Sequence, residues 1–163
     1  MKRSRFAALL GSTAVVVPTL GRAQQPPIRI GIVYSFSGAG GTAGKDFDNA
    51  LAVFQKKYGD TVAGRKIEIV RRDDGGISPD NAKRLAQELV VQEHVDFLAG
   101  LIFTPNAVAV GTVSTAAKVP TFIVNATTSG IMAKNPYMSR YSMSATQVTV
   151  PLAHYAYKTG ARN

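Results

Sequence analysis

The run IRIGIVYSFSGAGGTAG, residues 28–44, decides the fold. Its first seven residues, Ile28 to Tyr34, are mostly apolar and β-branched, the composition of a parallel strand buried on both faces. Ser35 to Gly44 then supplies hydroxyls and glycines. Asp46 to Tyr58 follows with Phe47, Ala50, Leu51, Phe54 and Tyr58 at helical spacing on one face. Strand, glycine-rich loop and amphipathic helix in that order open an α/β unit.

The alternation continues outward from this stretch. Gly59 and Gly64 punctuate a turn before a second strand, Lys66 to Arg72. A helix start follows, with Ser78 as N-cap, Pro79 at the first helical position and Asp80 near the positive helix end. Its inner face is Ala82, Leu85, Ala86, Leu89 and Val90. Val95 to Ala99 reads as a third strand closed by Gly100, Asn106 to Ala117 as a helix of small residues, and Pro120 to Val124 as a fourth strand. Tyr137 to Met143 is a fifth, less regular extended segment. Thr146 to Thr159 reads as a helix that Pro151 opens or kinks. The order predicts an α/β fold: a parallel sheet with helices on both faces and right-handed crossovers.

Upstream, Lys2, Arg3 and Arg5 precede a short apolar stretch, Phe6 to Leu20, and Gly21 and Ala23 supply the small residues a signal peptidase needs. Residues 1–23 therefore read as a signal peptide cleaved before Gln24, with an uncleaved anchor as the alternative. The stretch, broken by Gly11 and Pro18, is short for a bilayer span. The chain has no cysteine, which excludes disulfides, thiolate-held metals and lipid attachment near the cleavage site. The expected compartment is the periplasm.

The formal charge of +9 overstates the basic character. Four of the 19 basic residues (Lys2, Arg3, Arg5, Arg22) lie in the leader, leaving 15 against 10 acidic residues, or +5. The remaining charges are scattered instead of lining one element, so no nucleic-acid partner is expected.

In an open parallel sheet, ligands bind beyond the carboxyl ends of the strands. Three loops lie there: Ser35 to Gly44, Leu101 to Asn106 and Asn125 to Gly130. Each is rich in hydroxyls, amides or glycine and runs towards a helix start, chemistry that suits a carboxylate. Thr104, Ala126 and Thr128 stand out because their loops follow strands expected to adjoin. Ser37 and Asn125 are further candidates, although Ser35, Ser37 and Ser129 serve equally well as caps and turn formers. The loose pattern Gly38-Ala39-Gly40-Gly41-Thr42-Ala43 resembles a dinucleotide fingerprint, but three residues separate it from the strand. His94 and His154 have no catalytic setting, Asp73 and Asp74 point to opposite faces of a strand, and no metal-ligand spacing is present. No reaction, metal or cofactor is indicated.

The stretches IRIGIVYSFSGAGG, KIEIVRRDDGGISPDNAKRLAQELV, VDFLAGLIFTPNAVAV and VPTFIVNATTSGI together resemble the type I periplasmic binding proteins, in the branch of branched-chain amino-acid (Leu/Ile/Val) receptors of ABC importers. The resemblance covers Ile28 to about Gly160. It implies two α/β lobes closing on a ligand, with Thr104, Ala126 and Thr128 holding the α-amino and α-carboxylate groups of an amino acid. Pro105 and Asn106 replace a serine run common in the family. The stretch Asn135 to Arg140 looks closer to relatives that take aromatic or other carboxylic acids, against whose ring Phe103 could stack. Read this way, residues 24–144 are an incomplete N-terminal lobe and 145–163 the start of a truncated second lobe, exposing Val148, Leu152 and Tyr155.

The resulting expectation is a solute-binding receptor, not an enzyme. It delivers an amino acid or a related, including aromatic, carboxylic acid to ABC permease membrane subunits, and is a monomer when full length. A ligand-sensing regulatory domain is the first alternative and an exported NAD-type enzyme the second.

Overall fold

β1 (Ile28–Tyr34) lies inside a six-stranded sheet, flanked by β3 (Arg65–Asp73) and β4 (Phe97–Gly100), both parallel to it. The computed structural model describes residues 25–161, so the leader assigned to residues 1–23 lies outside the described residues. Beyond β4 come β5 (Thr121–Ile123) and β6 (Met138–Arg140), again parallel. At the other edge β2 (Thr61–Val62) pairs antiparallel with β3. The sheet order is β2-β3-β1-β4-β5-β6.

The four helices are α1 (Gly41–Tyr58), α2 (Pro79–Val91), α3 (Thr104–Ala117) and α4 (Ala145–Lys158). α2 and α3 cover one face of the sheet. Ala82, Leu85, Ala86 and Leu89 from α2 and Ala107, Val110 and Val113 from α3 join Val33, Leu98 and Ile123 in a single buried core. Full burial of a side chain such as Leu89 or Leu98 is worth about 1.5–3 kcal/mol against leaving it in water. α1 covers the β1–β3 part of the opposite face, where Phe47 packs on Tyr34 and Phe36 with ring centroids 5.1 and 6.2 Å apart. Parallel α/β architecture with helices on both faces is as the sequence predicts.

α1 approaches the sheet closely because Gly44 has no side chain. A Cβ there would stand 2.5 Å from the Ser35 carbonyl oxygen and 2.7 Å from the Phe36 Cα. Past α1, on the same face, Phe97, Phe122 and Tyr141 form an edge-to-face ladder with centroids 5.3 and 5.5 Å apart, and Tyr141 is 77% exposed.

Four local expectations need correction. The β2–β3 hairpin is absent from the predicted elements, since a two-residue strand carries no periodicity. α1 starts at Gly41, five residues before Asp46, because the glycine-rich loop itself winds into a one-turn 3-10 helix at Gly38–Gly40. Thr104 sits in the first turn of α3, with Phe103 as N-cap and Pro105 just inside, where its missing N–H costs nothing. Ser78 occupies the N-cap of α2 but makes no side-chain cap; its backbone N–H donates instead to Asn106 Oδ1 at 3.0 Å. α4 does have a side-chain cap, a box in which Ser144 and Gln147 satisfy each other's backbone N–H groups. Pro151 lies inside α4. Val148, Leu152 and Tyr155 are exposed, as expected.

Candidate functional site

The sheet order places a topological switch at β1, whose two neighbours carry crossovers that run in opposite directions, and ligands in such sheets bind outside the carboxyl ends of the strands at that crevice. The loops after β1, β4 and β5 all end there. Gly100, at φ +116°, lets β4 turn out of the sheet beside Val33, where an added Cβ would meet the Val33 carbonyl oxygen at 2.3 Å.

Two of the predicted residues meet directly. Thr104 Oγ1 and Thr128 Oγ1 are 2.8 Å apart, joining the first turn of α3 to the loop after β5. Thr104 is half-buried and Thr128 exposed, so the pair faces outward instead of into the core. Ala126 is 2% exposed; its N–H donates to the Leu101 carbonyl at 3.0 Å, which ties the two loops together from below. Phe103, half-buried, precedes Thr104. Asn125 is exposed at the end of β5. Thr104, Phe103, Ala126 and Thr128, with Asn125 close by in sequence, therefore cluster around β4 and β5.

Ser37 belongs to a different arrangement. The backbone N–H groups of Phe36, Ser37 and Gly75 donate to one oxygen of Asp73, at 2.9, 3.3 and 2.9 Å. Burial pushes the Asp73 carboxyl up, but the Ser37 side chain and these N–H groups outweigh it and hold the group below its ordinary value. The loop thus binds a carboxylate of its own chain, and its first amides are not free for a pyrophosphate. Gly40 packs against Ser35, where a Cβ would stand 2.2 Å from the Ser35 Cβ, so its lack of a side chain serves packing.

Beneath the rim lies a buried polar hub that sequence reasoning missed. Asp74, 2% exposed, accepts from Ser35 Oγ at 2.5 Å, from the Gly76 N–H at 3.1 Å and from Asn106 Nδ2 at 2.7 Å. Asn106, fully buried, also donates to the Gly76 carbonyl at 2.8 Å. The hub ties the end of β1, the end of β3 and the starts of α2 and α3 to one carboxylate. Burial first, then the negative charges of Asp46 and Asp74, raises the Tyr34 hydroxyl above its ordinary value. The one available signal was the replacement of a serine by Asn106 directly after Thr104-Pro105.

Against this geometry, a family profile described as periplasmic binding protein matches residues 27–163. The chain belongs to the periplasmic binding protein family. Among the family's curated members, "Leu/Ile/Val-binding protein homolog 6" of Brucella abortus (strain 2308) is 35% identical over 162 residues, which span 99% of this chain and 40% of that one. Among solved periplasmic binding protein structures, the solute binding protein of an ABC transporter from Rhodopseudomonas palustris BisB5, in complex with 3,4-dihydroxybenzoic acid, is 42% identical at a TM-score of 0.79. It covers 82% of this chain, which covers 37% of it. A second R. palustris solute binding protein, in complex with 4-hydroxybenzoate, is 40% identical with the same TM-score, and the coverage is 82% and 36%. This family member thus spans well under half the length of the relatives it matches.

Proposed function

We propose that this chain supplies one lobe of an extracytoplasmic solute-binding receptor for an ABC importer, and that its ligand is a small carboxylic acid. Residues 24–144 make the lobe and 145–163 lead into a second one. The signal peptide at residues 1–23 delivers it to the periplasm, and the full-length receptor hands its ligand to membrane permease subunits without chemical change. The observation that carries this reading is the Thr104–Thr128 hydroxyl pair, 2.8 Å apart at the carboxyl ends of β4 and β5. Outward-facing hydroxyls beside the α3 start, in a member of this family, match the needs of a carboxylate.

Aromatic acids are the favoured class. The hydroxybenzoate-complexed relatives are 40–42% identical to this chain, and an aromatic side chain, half-buried Phe103, directly precedes Thr104, which supports stacking on a ring. One lobe supplies roughly half the contacts. Micromolar affinity is about −8 kcal/mol, so half of it, about −4 kcal/mol, leaves millimolar binding.

Titration of the chain with 4-hydroxybenzoate, 3,4-dihydroxybenzoate and leucine, followed by ligand-detected NMR, tests the assignment. Weak saturable binding of the benzoates, abolished in the Thr104→Val, Thr128→Val double variant, is expected. Binding that survives the double substitution with unchanged strength would place the site elsewhere.

A further inference from the structure

Six arginines fall within the described residues, and five have a carboxylate partner. Arg29, Arg65, Arg71, Arg72 and Arg84 each lie within 4.0 Å of an aspartate or glutamate oxygen. Arg140 does not. Among the described residues it has no ion pair, although its side chain is half-buried at the end of β6. Instead its Nη1 donates to the Thr128 carbonyl at 2.8 Å and, more weakly, to the Ala126 carbonyl at 3.4 Å. Its Nε and Nη2 have no protein partner among the described residues. A partly desolvated guanidinium without an anion is an unusual use of this residue, whose planar fork suits carboxylates.

Its placement matters. Strands are about 4.8 Å apart across a sheet, so Arg140 on β6 lies one strand, about 5 Å, from the loop that carries Thr128. The exposed acid of the rim, Asp73, ends β3, three strands or roughly 14 Å from β5, and is already held by three backbone N–H groups. The buried Asp74 beneath the rim already accepts from Ser35, the Gly76 N–H and Asn106, whereas Arg140 is the one cationic side chain among the described residues that donates to the loop carrying Thr128. The same side chain also orients the loop. A trans peptide points its C=O and the following N–H in opposite directions, so carbonyls turned towards Arg140 turn the Thr127 and Ser129 N–H groups away from it.

We infer that Arg140 is the specificity-determining cation of this site, making it select a carboxylate over a neutral molecule of the same shape. The inference rests on the reading of the threonine rim as a carboxylate site. The chain prefers 4-hydroxybenzoate to its uncharged isostere 4-hydroxybenzamide, and the preference comes from this one side chain.

The experiment titrates the 163-residue chain with both compounds by ligand-detected NMR, at about 20 mM and about 200 mM salt, where the screening length falls severalfold. The unaltered chain should favour the benzoate by roughly tenfold at low salt, a difference of about 1.4 kcal/mol, and the margin should shrink at high salt. Arg140→Gln, which keeps an N–H donor for the carbonyls but no charge, should bring the ratio close to one without weakening the benzamide. Arg140→Lys should keep the ratio and its salt dependence. A ratio unchanged in a folded Arg140→Gln variant overturns the role of Arg140 and leaves the carboxylate site standing. A salt-independent ratio in the unaltered chain also overturns it, even where Arg140→Gln fails to fold. Failure of the unaltered chain to bind either compound overturns both readings.

Discussion

Replacing Asn106 by alanine should be among the most damaging single changes in this chain. The side chain is fully buried and makes three hydrogen bonds: Nδ2 to Asp74 Oδ2 at 2.7 Å, Nδ2 to the Gly76 carbonyl at 2.8 Å, and Oδ1 from the Ser78 N–H at 3.0 Å. Two are between neutral groups and contribute about 0.5–1.5 kcal/mol each; the one to the carboxylate contributes about 1.5–3 kcal/mol. The Asp74 carboxylate, 2% exposed, would keep only Ser35 and the Gly76 N–H as donors. The expected loss is about 3–5 kcal/mol, a large share of the 5–15 kcal/mol typical of a domain. Urea unfolding followed by circular dichroism measures it, with the midpoint falling and the slope unchanged. Asn106→Asp is the companion variant: it keeps the shape but sets a second carboxylate against Asp74, so it should be damaged at neutral pH and partly rescued in mild acid. A loss below about 1 kcal/mol for Asn106→Ala, or no acid rescue of Asn106→Asp, would refute the claim that this hub holds the rim together.

The other predictions concern separate parts of the molecule. Because the Asp73 carboxyl is held below its ordinary value, its contribution to stability is present above the unfolded carboxylate pKa of about 3.9 and is lost as pH falls through the lower folded value. Asp73→Asn should therefore flatten the acid limb of a stability–pH curve. Gly44→Ala should cost about 1–3 kcal/mol in thermal melts, since the new methyl meets the Ser35 and Phe36 backbone and not a movable side chain. Leu89→Ala, at a fully buried position, should cost about 2–5 kcal/mol. Leu152→Lys, at a position 63% exposed on α4, should stay within about 0.5 kcal/mol by the same urea assay.

The main architecture was legible because its signals are periodic. Of the inner face read for the second helix, Ala82, Leu85, Ala86 and Leu89 are the buried face of α2, and Val90 is partly buried at its edge. The strand IRIGIVY agrees with β1 residue for residue. What escaped was set by tertiary pairing. β2 exists only because β3 offers its edge, and α1 extends through the glycine-rich loop because Asp73 fixes the preceding amides from a strand about 36 residues away. The rim followed the same division. That Thr104 and Thr128 belong together was readable from strand order, while the Asp74–Asn106–Ser35 hub joins residues 32 and 39 positions apart, and Asn106 in place of a serine was its one local trace. Ser37 was singled out for its hydroxyl, although its structural role is to help hold Asp73.

The depth at which Asp74 lies has an evolutionary consequence. Threonines and arginine occupy the outer layer, whereas the clasp that joins four chain segments sits one layer lower. Outer residues can therefore be exchanged without loosening the clasp. Such a division of labour lets a single scaffold change its surface chemistry through a handful of superficial replacements.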